Sequence, residues 1–110
     1  MNAPVPFSPN SVDVVSFDRA ELGVILSLYG RMVAAGEWRD YALDFHPEVA
    51  VFSAFRRTGE VPLYRVEKRP KLRAKQGIYA ILGSEGQILR RGHDLAAALR
   101  VLEKPLRPID

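Results

Sequence analysis

The chain has 110 residues, 47% of them hydrophobic and 26% charged, which is a globular composition with length for one domain and not for a second core. Net charge is +3 and cysteine is absent, which excludes disulfides, thiol catalysis and zinc–thiolate sites. No apolar run approaches the roughly 20 residues of a membrane span, and residues 1–11, with three prolines, lack the form of a signal peptide, so a cytoplasmic protein without membrane contact is expected.

In chain order, "SVDVVSF" (Ser11–Phe17) alternates Val12 and Val14 with polar neighbours and predicts a strand. Asp18 follows as a helix N-cap, with Glu21 three residues on to complete a capping box and Phe17 and Leu22 placed as a hydrophobic staple. Leu22, Ile25, Leu26, Tyr29, Met32 and Val33 recur at helical spacing, and Gly36 ends the helix in a left-handed conformation. Gly23 and Gly30, seven apart inside that helix, suggest close approach of another backbone.

From Trp38 the period changes to two. Tyr41, Leu43 and Phe45 form one face of a strand that ends at His46-Pro47, and Val49 to Phe55 supplies the next. "RTGE" (Arg57–Glu60) is a turn and Leu63–Lys68 a further strand, while "GIYAIL" and "QILRR" flank "GSEG" (Gly83–Gly86) as a hairpin. Asp94 caps a last helix with Leu95, Ala98, Leu99 and Leu102 on one face, stopped by Pro105. The order β-α-β-β-β-β-β-α predicts an α+β domain, an antiparallel meander with two amphipathic helices on one face. Its expected limits are residues 12–104, with tails at 1–11 and 105–110.

Chemistry is sparse. Asp44, His46 and Glu48 would share a face of an extended chain, but Pro47 turns the chain there, and no metal site is assigned. His93 beside Asp94 has no nucleophile motif to serve, and "GSEG" has neither the lysine nor the following helix of a phosphate loop, so no catalytic residue and no cofactor are assigned. Trp38, Tyr41, Tyr64 and Tyr79 could stack on bases from an open sheet face; aromatics at strand spacing more often belong to a core.

The charge is unevenly spread. Residues 1–55 hold three basic and seven acidic side chains, whereas residues 56–110 hold thirteen basic and six acidic. Such asymmetry suits an anionic partner, a self-associating pair, or mutual attraction of the two halves within one fold. The densest stretch, Val66 to Gly77, carries five basic residues against one glutamate, with Arg65 just before it. Arg65, Arg69, Lys71, Arg73 and Lys75 all fall at odd positions, and in an extended chain residues two apart stand about 6.6 Å apart on one side, near the phosphate repeat of a drawn-out strand. Pro70 favours an extended or edge conformation. Lys68 belongs to the same run, and Arg90 and Arg91, with Arg56 and Arg57, would widen the stripe. The competing reading is a sheet edge protected by charge and proline.

The blocks "AAGEWRDYALDF" (Ala34–Phe45), "PLYRVEKRPKLRAKQGIY" (Pro62–Tyr79) and "ILRRGHDLAAALRVLEK" (Ile88–Lys104) resemble a family of short alphaproteobacterial proteins catalogued as domain of unknown function 2794. The resemblance implies a bacterial, cytoplasmic setting and carries over no activity, cofactor or site. The functional expectation is a small non-enzymatic binding module that uses Arg65, Lys68, Arg69, Lys71, Arg73, Lys75, Arg90 and Arg91 to engage RNA, DNA or another anionic partner. The alternative is a protein-interaction domain or homodimer, and an enzyme using His46 or His93 ranks last.

Overall fold

The computed structural model describes residues 13–106. Helix α1 spans Arg19–Ala34, and five strands follow: β1 Asp40–Phe45, β2 Ala50–Phe55, β3 Tyr64–Lys68, β4 Tyr79–Gly83 and β5 Ile88–Gly92. Helix α2, Leu95–Leu99, continues as a 3-10 helix over Arg100–Leu106. The strands form one antiparallel sheet in the order β1-β2-β3-β4-β5, the predicted meander.

Local signals set the helix as predicted. Asp18 accepts from the Glu21 N–H and the Glu21 carboxylate accepts from the Asp18 N–H, both at 2.8 Å, which satisfies two otherwise orphaned donors. At the far end Gly36 has φ +80°, a conformation glycine adopts without a Cβ penalty. Its N–H reaches the Val33 carbonyl while the Glu37 N–H reaches that of Met32, the paired closure of a Schellman motif.

The register explains the core. Phe52, Val66 and Ile81 lie abreast across β2, β3 and β4. Together with Ile25, Leu28 and Met32 of α1 and Ala98, Leu99 and Leu102 of the C-terminal helical segment they form the buried cluster. Both helices therefore cover the same face. The residues between, Ser53, Arg65 and Leu82 in one row and Val51, Glu67, Ala80 and Arg91 in the next, point to the helix-free face.

Four expectations are corrected. Asp13–Phe17 is no strand; its one ladder-like bond is from the Val15 N–H to the His46 carbonyl, 2.8 Å, and Ser11 and Val12 lie outside the described residues. Leu28 is buried where Val33 was expected, and Val33 is exposed, because the helix turns its Ile25–Leu28–Met32 stripe to the sheet. Gly23 and Gly30 face open space, with nothing among the described residues within 4 Å of a built Cβ, so no described backbone packs on them. Pro105 does not stop the last helix: the α-helical part ends at Leu99 and the 3-10 segment runs through Pro105. The expected tail at 1–11 lies outside the described residues.

Candidate functional site

The basic run does not form one track. Only its start is extended, in β3; Pro70–Leu72 is a 3-10 turn, with proline at its first position, and Arg73–Gln76 continues as turns. Proline's fixed φ suits such a turn as well as an extended edge, and the two-residue alternation after Arg69 loses its geometric meaning. Gly77 closes the loop at φ +103°, packed so tightly on β5 that a Cβ would lie 2.6 Å from the Gly92 carbonyl carbon.

The eight basic residues fall into separate environments. Lys68 points to the helix side, where its Nζ donates to Glu21 Oε1 and to the Ser16 carbonyl, each at 2.8 Å. Its side chain and that of Glu21 are only 15% and 11% exposed, so this lysine is a structural ion and not a surface contact. Tyr79 completes the cluster by donating its hydroxyl to Glu21 Oε2. Burial pushes the Glu21 carboxyl up, but hydrogen bonds from Lys68, Tyr79 and the Asp18 N–H, with the Lys68 charge, outweigh it and hold the carboxyl below its usual range. Burial, followed by the Glu21 carboxylate as acceptor and as charge, raises the Tyr79 hydroxyl above its ordinary value. That fixes a neutral donor, the opposite of what proton-transfer chemistry near pH 7 would need.

Arg69 is paired with Glu67 at 3.1 Å and Lys71 with Glu48 at 3.2 Å. Arg73 and Lys75 stand exposed in the loop, and Arg90 is exposed on β5 opposite Ile81, toward the helix side. Among the described residues none of these three has a carboxylate within 4.0 Å. Arg65 and Arg91 share the helix-free face, Arg65 abreast of Leu82 and Arg91 abreast of Ala80. Ala80 and Leu82 are buried although no helix among the described residues covers them. Arg91 Nη1 is buried without a hydrogen-bond partner among the described residues.

The aromatics do not reach that face. Trp38 and Tyr79 are buried; Tyr41 and Tyr64 flank Ala54 in register on the helix side, and Tyr29, Trp38, Tyr41, Phe52 and Tyr64 form a chain of ring contacts with centroids 4.8–6.4 Å apart. Of the strand aromatics only Phe55 faces the other way. Asp44, His46 and Glu48 form no metal-holding group among the described residues, and neither His46 nor His93 lines either of the two clefts described here. Asp94 acts as a cap, accepting from the Ala97 N–H at 3.1 Å.

Those clefts lie elsewhere. One runs between α1 and the C-terminal helical segment, lined in part by Gly23, Val24 and Leu99 and bridged by the Arg31–Glu103 ion pair at 2.9 Å. The other, about 770 Å³, opens at the end of the sheet opposite the basic loop, lined by Val33, Trp38, Arg39, Arg56, Arg57 and Thr58, with Gly36. Sequence reasoning touched Arg56 and Arg57 only as flanks of a stripe and missed Arg39. The β1–β2 register, Asp40 opposite Phe55, brings Arg39 beside Arg56.

No curated protein and no solved structure matches the chain. A family model described as "Protein of unknown function (DUF2794)" matches residues 15–99, and the chain belongs to that family.

Proposed function

We propose that the domain is a non-enzymatic binding module of the bacterial cytoplasm that engages the phosphate backbone of RNA or DNA through its helix-free sheet face. The observation that carries this reading is the placement of Arg65 and Arg91 on that one helix-free face, with Arg91 Nη1 lacking a hydrogen-bond partner among the described residues. A buried guanidinium N–H without an acceptor is costly, and a phosphate oxygen is an acceptor of matching charge and geometry. Arg73 and Lys75 stand exposed in the loop after β3 and could add contacts beyond the edge of that face. With the strand tyrosines turned to the helix side, contacts go to phosphates and not to stacked bases, so binding is indifferent to sequence and steep in salt. The test is fluorescence anisotropy with labelled single-stranded RNA and DNA across a salt series. Arg65→Gln with Arg91→Gln should lower the salt slope by about 1.4 on a single strand, two contacts at about 0.7 each. An unchanged slope, or no binding by the wild type at low salt, refutes it.

One observation favours a second reading, self-association through β1. The β5 edge is bulged where it passes the Ile81–Leu82 step of β4 and carries the charges of Arg90 and Arg91, devices that discourage edge pairing. The β1 edge is six residues in unbroken register, with Tyr41 38% and Phe45 42% exposed. A two-fold axis at Leu43 would set Tyr41 of one copy opposite Phe45 of the other. Sedimentation velocity that shows a monomer at every concentration would eliminate this reading.

A further inference from the structure

We infer that the arginine-lined cleft at the β2–β3 end of the sheet is a binding site for a dianionic phosphate group, inorganic or a monoester, separate from the polyanion-binding face. The titratable side chains lining it are three arginines, Arg39, Arg56 and Arg57. The backbone that carries them is held by contacts unrelated to any ligand. The Arg39 N–H donates to the Phe55 carbonyl at 2.8 Å, which fastens the entry of β1 to the exit of β2. The Thr58 hydroxyl donates to Asp40 Oδ2 at 3.0 Å and draws the turn after β2 back over the same end. Asp40 also accepts from the Tyr41 N–H at 2.8 Å, so its carboxylate serves the turn and the strand edge and pairs with none of the three guanidinium groups.

Their own counter-charges are weakly engaged. Arg56 meets Glu37 only at 3.8 Å and Arg57 meets Glu60 at 3.4 Å, with both arginine side chains more than half exposed. Exposed pairs of this kind contribute little and are readily exchanged. Arg39 has no carboxylate within 4.0 Å among the described residues. Guanidinium forks match phosphate oxygens bidentately, and three of them are better neutralised by a dianion than by the single charge of a backbone diester. Val33 and Trp38 back the cleft with apolar surface, and its volume of about 770 Å³ admits a small ester as well as the bare ion.

Trp38, the chain's one tryptophan and 3% exposed, lines the cleft and reports on it. Its emission should change saturably on titration with inorganic phosphate and with phenyl phosphate, and dimethyl phosphate should bind at least tenfold more weakly. Arg39→Gln should weaken phenyl phosphate at least about tenfold while far-UV circular dichroism and polyanion anisotropy stay as in wild type. Affinity should fall as pH drops below about 6, where the monoester loses its second charge. A 5′-phosphorylated dinucleotide binding as tightly as phenyl phosphate identifies nucleic-acid ends as the source, and much weaker binding identifies small esters. Backbone amide shifts of Arg39, Arg56 and Arg57 by NMR provide the second readout if emission is silent. The inference is overturned if neither readout saturates with a monoester, if dimethyl phosphate titrates equally, or if Arg39→Gln and Arg56→Gln change nothing.

Discussion

Replacing Lys68 by methionine keeps the aliphatic stem and removes the charge from the Glu21–Lys68–Tyr79 cluster. In the wild type the Glu21 carboxylate has three donors, Lys68 and the Asp18 N–H on Oε1 and Tyr79 on Oε2. The substitution leaves two donors and no counter-charge on a carboxylate whose side chain is 11% exposed. Breaking a buried pair from one side costs about 3–5 kcal/mol; the surviving hydrogen bonds reduce this to about 2–3 kcal/mol. For a domain of this size that is a fall in Tm of about 8–15 °C. The pH dependence has a definite sign. With Lys68 gone, burial dominates and the Glu21 carboxyl takes up its proton at higher pH than in the wild type, so the deficit at pH 7 shrinks toward pH 4. Urea denaturation at both pH values reads this directly. A deficit below about 0.5 kcal/mol at pH 7 would show that the ion pair does not hold α1 to the sheet, and a deficit equal at both pH values would show that the loss is one of packing.

The same cluster sets the alkaline limit. Tyr79 has its hydroxyl raised above the ordinary tyrosine value of about 10, so its contribution is complete below that pH and is lost as pH climbs through the higher folded value; Tyr79→Phe should flatten the alkaline fall of Tm measured from pH 9 to 11. Gly77→Ala should destabilise by more than about 2 kcal/mol in urea, since it combines a positive φ with a contact to the rigid Gly92 backbone. Gly23→Ala should instead stabilise by about 0.5–1 kcal/mol, because the helix interior there faces open space; destabilisation would mean that something packs on that face in solution.

What was legible in the sequence was local. The Asp18–Glu21 box, Gly36 and the period-two runs from Tyr41 to Phe55 each act through residues within a few positions, and each element formed where its signal stood. Alternation at Val12 and Val14 is the same kind of signal, but a strand needs a partner, and Asp13–Phe17 finds one backbone bond at His46. The odd-position arginines and lysines misled for a related reason. Spacing has meaning only once the backbone conformation is known, and Pro70 starts a 3-10 turn. The arginine cleft was not readable by spacing, because Arg39 and Arg56 are seventeen apart and meet only through the β1–β2 register.

The charge asymmetry between the halves resolves in the same way. Of the six ion pairs among the described residues, three set an acidic side chain of the first half against a basic one of the second: Glu37–Arg56, Glu21–Lys68 and Glu48–Lys71. Intramolecular attraction therefore consumes much of what looked like a partner-seeking field. A track of eight free cations would give a salt slope near 6 on a single strand. The folded chain removes Lys68 to the interior, pairs Arg69 with the largely buried Glu67 and turns Arg90 to the other side. Arg65 and Arg91, with at most Lys71, Arg73 and Lys75 from the loop, remain, Lys71 because its pair with Glu48 is exposed and readily exchanged, and at about 0.7 per contact they predict a slope between about 1.5 and 3.5. A measured slope near 6 would mean that the ion pairs open on binding and that the partition of charge in the free protein does not govern its contacts with a polyanion.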